Sequence, residues 1–189
     1  MKRVLLLLAL LFPIVGLAQL TTANPDTVCY QTNGSIYQVP SLGPGYTYNW
    51  TIVAPGVITS GQGTNNIGVN WSNANPGLIP NAVTVIATNT TTGCTSTPVT
   101  LNVIILNITP TITAVGPFCV TDPCIPLVGS PAGGTFSGPG VVGNQFCPST
   151  SGTGTFPITY TYIAGGCTFT TTTTIIVNPV PTLTPIQHN

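Results

Sequence analysis

Past residue 18 this chain has no lysine, no arginine and no glutamate. Its only bases are Lys2 and Arg3, its only acids Asp26 and Asp122, and its single imidazole is His188. Each absence removes a class of function. Proton transfer and electrostatic catalysis run on titratable and charged side chains, so an enzyme is not expected. A phosphate backbone needs cations, so nucleic-acid binding is excluded. Asp26 and Asp122 are too few for an ordinary calcium site, and their expected role is to cap nearby backbone amides at turns. The glycine cluster from Gly129 to Gly143 lacks the lysine and following helix of a phosphate-binding loop and reads as tight turns. No cofactor or metal is expected. A surface so poor in charge also has little self-repulsion, which favours association between copies.

The two basic residues open a leader. Lys2 and Arg3 precede an apolar run from Val4 to Val15, and Gly16 and Ala18 supply the small residues of a cleavage site after residue 18. The apolar run is shorter than the roughly 20 residues that a membrane-spanning helix needs, and no second long one follows. Residues 1–18 therefore read as a cleaved signal peptide, and the mature chain as secreted, with no membrane span. Six cysteines, Cys29, Cys94, Cys119, Cys124, Cys147 and Cys167, agree with an oxidising compartment. Zinc is the rival reading, but the one close pair, Cys119 and Cys124, has no histidine nearby.

What remains is rich in Thr, Val, Ile, Asn and Ser, with 21 glycines and 19 prolines setting the turns. Short β-branched runs bounded by Gly, Pro and Asn predict strands throughout, and no segment has a capped helical period. In 46–50, Tyr46, Tyr48 and Trp50 alternate with Thr47 and Asn49, which predicts a strand with an aromatic face turned to a core. The pattern also repeats. Asp26-Thr27-Val28-Cys29 and Gly116-Pro117-Phe118-Cys119 each open a unit. Thr92-Gly93-Cys94 and Gly165-Gly166-Cys167 each follow a β-rich run and lead into a final strand. The repeat predicts two tandem antiparallel β-sandwich domains, 19–107 and 108–181, followed by a Pro-rich tail, 182–189. Equivalent positions then pair Cys29 with Cys94 and Cys119 with Cys167, and leave Cys124 for Cys147.

The first unit carries VCYQ at 28–31, YTYNWTI at 46–52, GVITSGQGTNNIGVNW at 56–71 and TGCTSTPVTLNV at 92–103. It resembles the polycystic-kidney-disease-like (PKD-like) modules of secreted Bacteroidetes proteins. The second carries FCVTD at 118–122, LVGSPAGGTFSGPGVVGNQFCP at 127–148 and GCTFTTTTTIIVNPVPT at 166–182. It is similar to the immunoglobulin-like repeats of gliding-associated cell-surface proteins. The resemblance implies extracellular β-sandwiches, arrayed as adhesive elements or spacers, with no catalytic residues to carry over. The Cys124 and Cys147 pair is an addition to that pattern.

Two functions fit. The first is a non-enzymatic structural or adhesive protein of the cell surface, whose partners are other copies of itself, forming a homo-polymer, or other surface proteins. The second is a module that binds carbohydrate or another surface ligand through exposed aromatics, for which Trp71, beside the Asn/Pro loop 73–80, is the candidate. Thr168, Thr170, Thr172 and Thr174 share a strand face like those of ice-binding surfaces. A ladder one strand deep is better explained by β-propensity facing solvent. The tail, extended by its prolines, carries Leu183 and Ile186 and reads as a flexible linker, with addition to a neighbour's sheet edge or groove as the alternative.

Overall fold

The computed structural model describes residues 24–186 and 188; the expected signal segment 1–18 lies outside them. Nearly all regular structure is β. Seven strands come first: β1 (Asp26–Cys29), β2 (Ser35–Gln38), β3 (Tyr46–Ile52), β4 (Val57–Ser60), β5 (Asn66–Asn70), β6 (Gly77–Asn89) and β7 (Val99–Leu106). They form a four-stranded sheet ordered β1-β7-β6-β3 and a three-stranded sheet ordered β2-β5-β4. Alternation decides what lies between them. In β3, Tyr48 and Trp50 are buried while Thr47, Asn49 and Thr51 face out. Trp50 stands opposite Val85 of β6 and Tyr48 opposite Ala87. Tyr37, Ile67 and Val69 come from the other sheet and join the same buried cluster.

The remaining strands are short until the last two. They are β8 (Thr111–Ile112), β9 (Phe118–Cys119), β10 (Ile125–Pro126), β11 (Gly129–Ser130), β12 (Thr135–Ser137), β13 (Val141–Val142), β14 (Gln145–Phe146), β15 (Gly154–Ala164) and β16 (Cys167–Asn178). One four-stranded sheet runs β12-β15-β16-β9, and smaller sheets join β10-β14-β13 and β11-β8. A second buried cluster forms here, from Leu127, Phe146, Ile158, Ile175 and Val177. One helical turn, α1 (Pro148–Ser151), departs from the all-strand expectation. It is too short to show a helical period, though proline at the first helical position suits it.

A second departure recurs. The strands were expected to be antiparallel, but β1 pairs parallel to β7 and β9 parallel to β16. Parallel neighbours need a long crossover, and the strands between the first and last of each group supply it. The consequence is positional. Cys29 stands opposite Leu106 and Cys119 opposite Asn178, each at the finish of the last strand of its group.

Candidate functional site

Among the described residues no group of three or more His, Cys, Asp or Glu could hold a metal ion. None of their helices is long and apolar enough to cross a membrane.

The structure joins Cys124 to Cys147 and Cys29 to Cys167. The second bridge overturns the expected Cys29–Cys94 and Cys119–Cys167 pairs, and Cys94 and Cys119 are free and exposed. Strand direction is the reason. Cys29 is level with Leu106, whereas Cys94 lies beyond Asn89 at the other end of β6, its carbonyl accepting from the Asn89 N–H at 2.9 Å. In the same way Cys119 is level with Asn178, while Cys167 begins β16 at its far end. Eleven residue steps of strand span roughly 35 Å, far beyond the Cα separation of about 7 Å that a disulfide tolerates. Neither expected pair can close within its own unit.

Cys29 and Cys167 instead make a seam between the two buried clusters. The β15–β16 hairpin turns through Gly165 and Gly166, both at positive φ, so the turn needs residues without Cβ atoms. It sits against the end of β1 and β7. A Cβ on Gly165 would lie 2.7 Å from Thr27 Cγ2 and 3.2 Å from Leu106 Cδ2. Cys167 is buried there and the Cα atoms of the bridged pair are 5.5 Å apart.

Trp71, the candidate for stacking on a sugar, is corrected. It is 0 % exposed, in the core of the first cluster. Its Nε1–H donates to Tyr37 Oη at 3.1 Å, and the Tyr37 hydroxyl donates to Asp26 Oδ2 at 2.9 Å. Gly56 leaves room for its ring, where a Cβ would collide with Cζ3. Burial first, then the charge and hydrogen bond of Asp26, hold the Tyr37 phenol above its ordinary pKa. Asp26 thus serves a side chain rather than a backbone turn, whereas Asp122 does accept from a backbone amide, that of Cys119, at 2.8 Å. Tyr37 carried no signal in the sequence, because nothing there marks which polar tip will meet a buried indole.

The threonine ladder is also wider than expected. Thr170 faces Thr161, which faces Thr135; Thr172 faces Thr159, which faces Ser137. Thr159 and Thr172 hydroxyls are 3.1 Å apart. Three strands therefore share a hydroxyl-bearing outer face. At the Cys94 end, a depression of about 340 Å³ is lined by Leu42, Tyr46, Ala87 and Cys94 among others. At the other end, beyond β16, Val180, Leu183 and Ile186 are exposed.

Residues 17–103 match the PKD-like domain family. The PKD-like segment contains Cys29, Trp71 and Cys94 and stops within β7, so the Cys29–Cys167 bridge ties it to the part of the chain that follows. No curated protein matches the chain.

Proposed function

We propose that the protein is a non-enzymatic, extracellular structural or adhesive element of the cell surface, built from two β-sandwich modules, 19–107 and 108–181, behind a cleaved signal peptide. The observation that carries this reading is the seam. A covalent bridge between two separate hydrophobic clusters fixes one module on the next, which suits a rigid spacer that bears load and serves no reaction. The two disulfides favour an oxidising, extracellular location. The PKD-like match supports the first module. The immunoglobulin-like character of the second rests on its sequence resemblance and on the repeat of a short strand running parallel beside the last. Its partners are copies of itself or other surface proteins and glycans, met through uncharged surface.

The reading is tested with beads coated in the mature chain from Gln19 onward, presented to cells of the source organism and to each other. Adhesion is expected, and it is expected to persist from low to molar salt, because there are almost no charges to screen. Coated beads that adhere no more than bare ones sink the proposal.

A further inference from the structure

Cys94 and Cys119 are the two complementary halves of the bridge that the chain makes once internally. Cys119 matches Cys29 in strand position and backbone bonding. Each ends a short strand that runs parallel beside the last strand of its group and lies opposite that strand's last residue, Asn178 and Leu106 respectively. The next residue donates its N–H to that opposite carbonyl, Tyr30 to Leu106 at 2.9 Å and Val120 to Asn178 at 3.0 Å. The carbonyls of Cys29 and Cys119 both accept from the amide three residues on, at 3.0 Å.

Cys94 matches Cys167. Each is the first residue after a hairpin turn, paired back to Asn89 or Ala164. Each follows a glycine at nearly the same left-handed angle, Gly93 at φ 75° and Gly166 at φ 77°.

The turn before Cys94 is longer than the one before Cys167, four residues against two, and the matched positions also differ in what covers them. Cys167 is buried and Cys29 partly so, whereas Cys94 and Cys119 are exposed. Gly93 and its counterpart Gly166 both face open space, and it is the preceding Gly165 of the Cys167 turn that Thr27 and Leu106 crowd. Pro117 and Asn178, which hold the places of Thr27 and Leu106, are exposed too. The strand registers put the two open halves at opposite ends of the molecule, with the closed seam between them.

We propose that Cys119 of one copy bonds to Cys94 of a second copy of this chain, repeating the internal seam and joining copies head to tail. This rests on the reading of the protein as a structural element and names its partner. With a low-molecular-weight disulfide such as oxidised glutathione as the oxidant, the Cys94 thiolate attacks one sulfur and releases glutathione thiolate. The Cys119 thiolate of the other copy then attacks the mixed disulfide and releases the second. Two protein thiols are oxidised to one disulfide and one glutathione disulfide is reduced to two thiols, the two protons lost by the protein thiols ending on the released glutathione thiolates.

The test is oxidation of the mature full chain with oxidised glutathione, read on non-reducing gels. A ladder of multiples that collapses on reduction is expected, with a Cys94–Cys119 linked peptide in its digest. Cys94→Ser and Cys119→Ser should each stop the ladder, and mixing the two variants should restore a covalent dimer and nothing larger. Protein that stays monomeric, or Cys94→Ser protein that forms symmetric dimers as readily as the mixture forms mixed ones, overturns the proposal. Should either serine variant melt early, folded wild-type protein alkylated at both exposed thiols replaces it; if that protein still ladders, the proposal is equally overturned. Monomeric protein that still coats cells removes the seam between copies and leaves the surface role standing. A ladder whose beads adhere to nothing does the reverse.

Discussion

Tyr37 keeps its proton between a buried indole donor and a partly buried carboxylate, and the cost of disturbing it follows from both. The folded phenol has a raised pKa, so the folded state holds a proton that the unfolded chain releases at the ordinary value near 10. Its contribution to stability is therefore complete below about pH 10 and is lost as the pH climbs through the higher folded value. Tyr37→Phe is expected to lower stability at neutral pH by about 1–3 kcal/mol, because the Trp71 N–H is left without its acceptor. It should also flatten the alkaline loss. Urea midpoints of both proteins at about pH 8 and about pH 11 check this, and parallel slopes for the two would refute the assignment. The buried face of Tyr48 and Trp50 was legible from alternation in 46–52. Trp71 continues the same kind of alternation, two residues past the buried Val69 and four past Ile67, so its burial was legible too, although its place beside the Asn/Pro loop pointed the other way. Its cover comes from a loop that folds back, Ala74 N–H donating to the Trp71 carbonyl at 2.8 Å.

Strands without charged residues need some other guard for their edges. At β3 that guard is a side chain. Gln62 accepts from the Trp50 N–H at 3.0 Å through Oε1 and donates to the Trp50 carbonyl at 2.9 Å through Nε2. Its amide copies the pairing that a neighbouring strand would make, and beside it Tyr48 exchanges backbone bonds with Gly63. Gln62→Ala uncovers both Trp50 groups on a Thr- and Tyr-rich edge. We expect a loss of about 1–2 kcal/mol and concentration-dependent aggregation that the parent does not show. Unchanged light scattering at high micromolar concentration would rule out this role. Alternating burial predicts that a segment is a strand, yet it is silent on whether its neighbour runs parallel. For that reason the repeat of cysteines was legible and the partner of Cys29 was not. Gly165-Gly166 did signal the tight turn that carries Cys167. Gly165→Ala puts a Cβ against Thr27 at a left-handed φ, and it is expected to leave a measurable fraction of Cys29 and Cys167 reactive to thiol reagents, where the parent shows none.

Across the whole molecule, the first buried cluster draws its residues from 28 to 105 and the second from 127 to 177, with none in common. Coupling between them therefore depends on the seam, and the seam closes a loop of 138 residues. In the chain-entropy account a loop of that length is worth about 5 kcal/mol, against about 3 kcal/mol for the 23-residue loop that Cys124 and Cys147 close inside the second group. The double variant Cys29→Ser, Cys167→Ser leaves the shorter bridge intact. Its hairpin turn keeps its place beside Thr27 and Leu106 only by van der Waals contact, too little to make one core report on the other. We expect the parent to melt in one transition and the variant in two, the lower one falling by several degrees. Calorimetry distinguishes the outcomes. A variant that still melts in one step at the parental temperature would mean that packing across Gly165, and not the disulfide, holds the two cores as one. In that event a seam between copies would form by contact first, with the bond between Cys119 and Cys94 only sealing it.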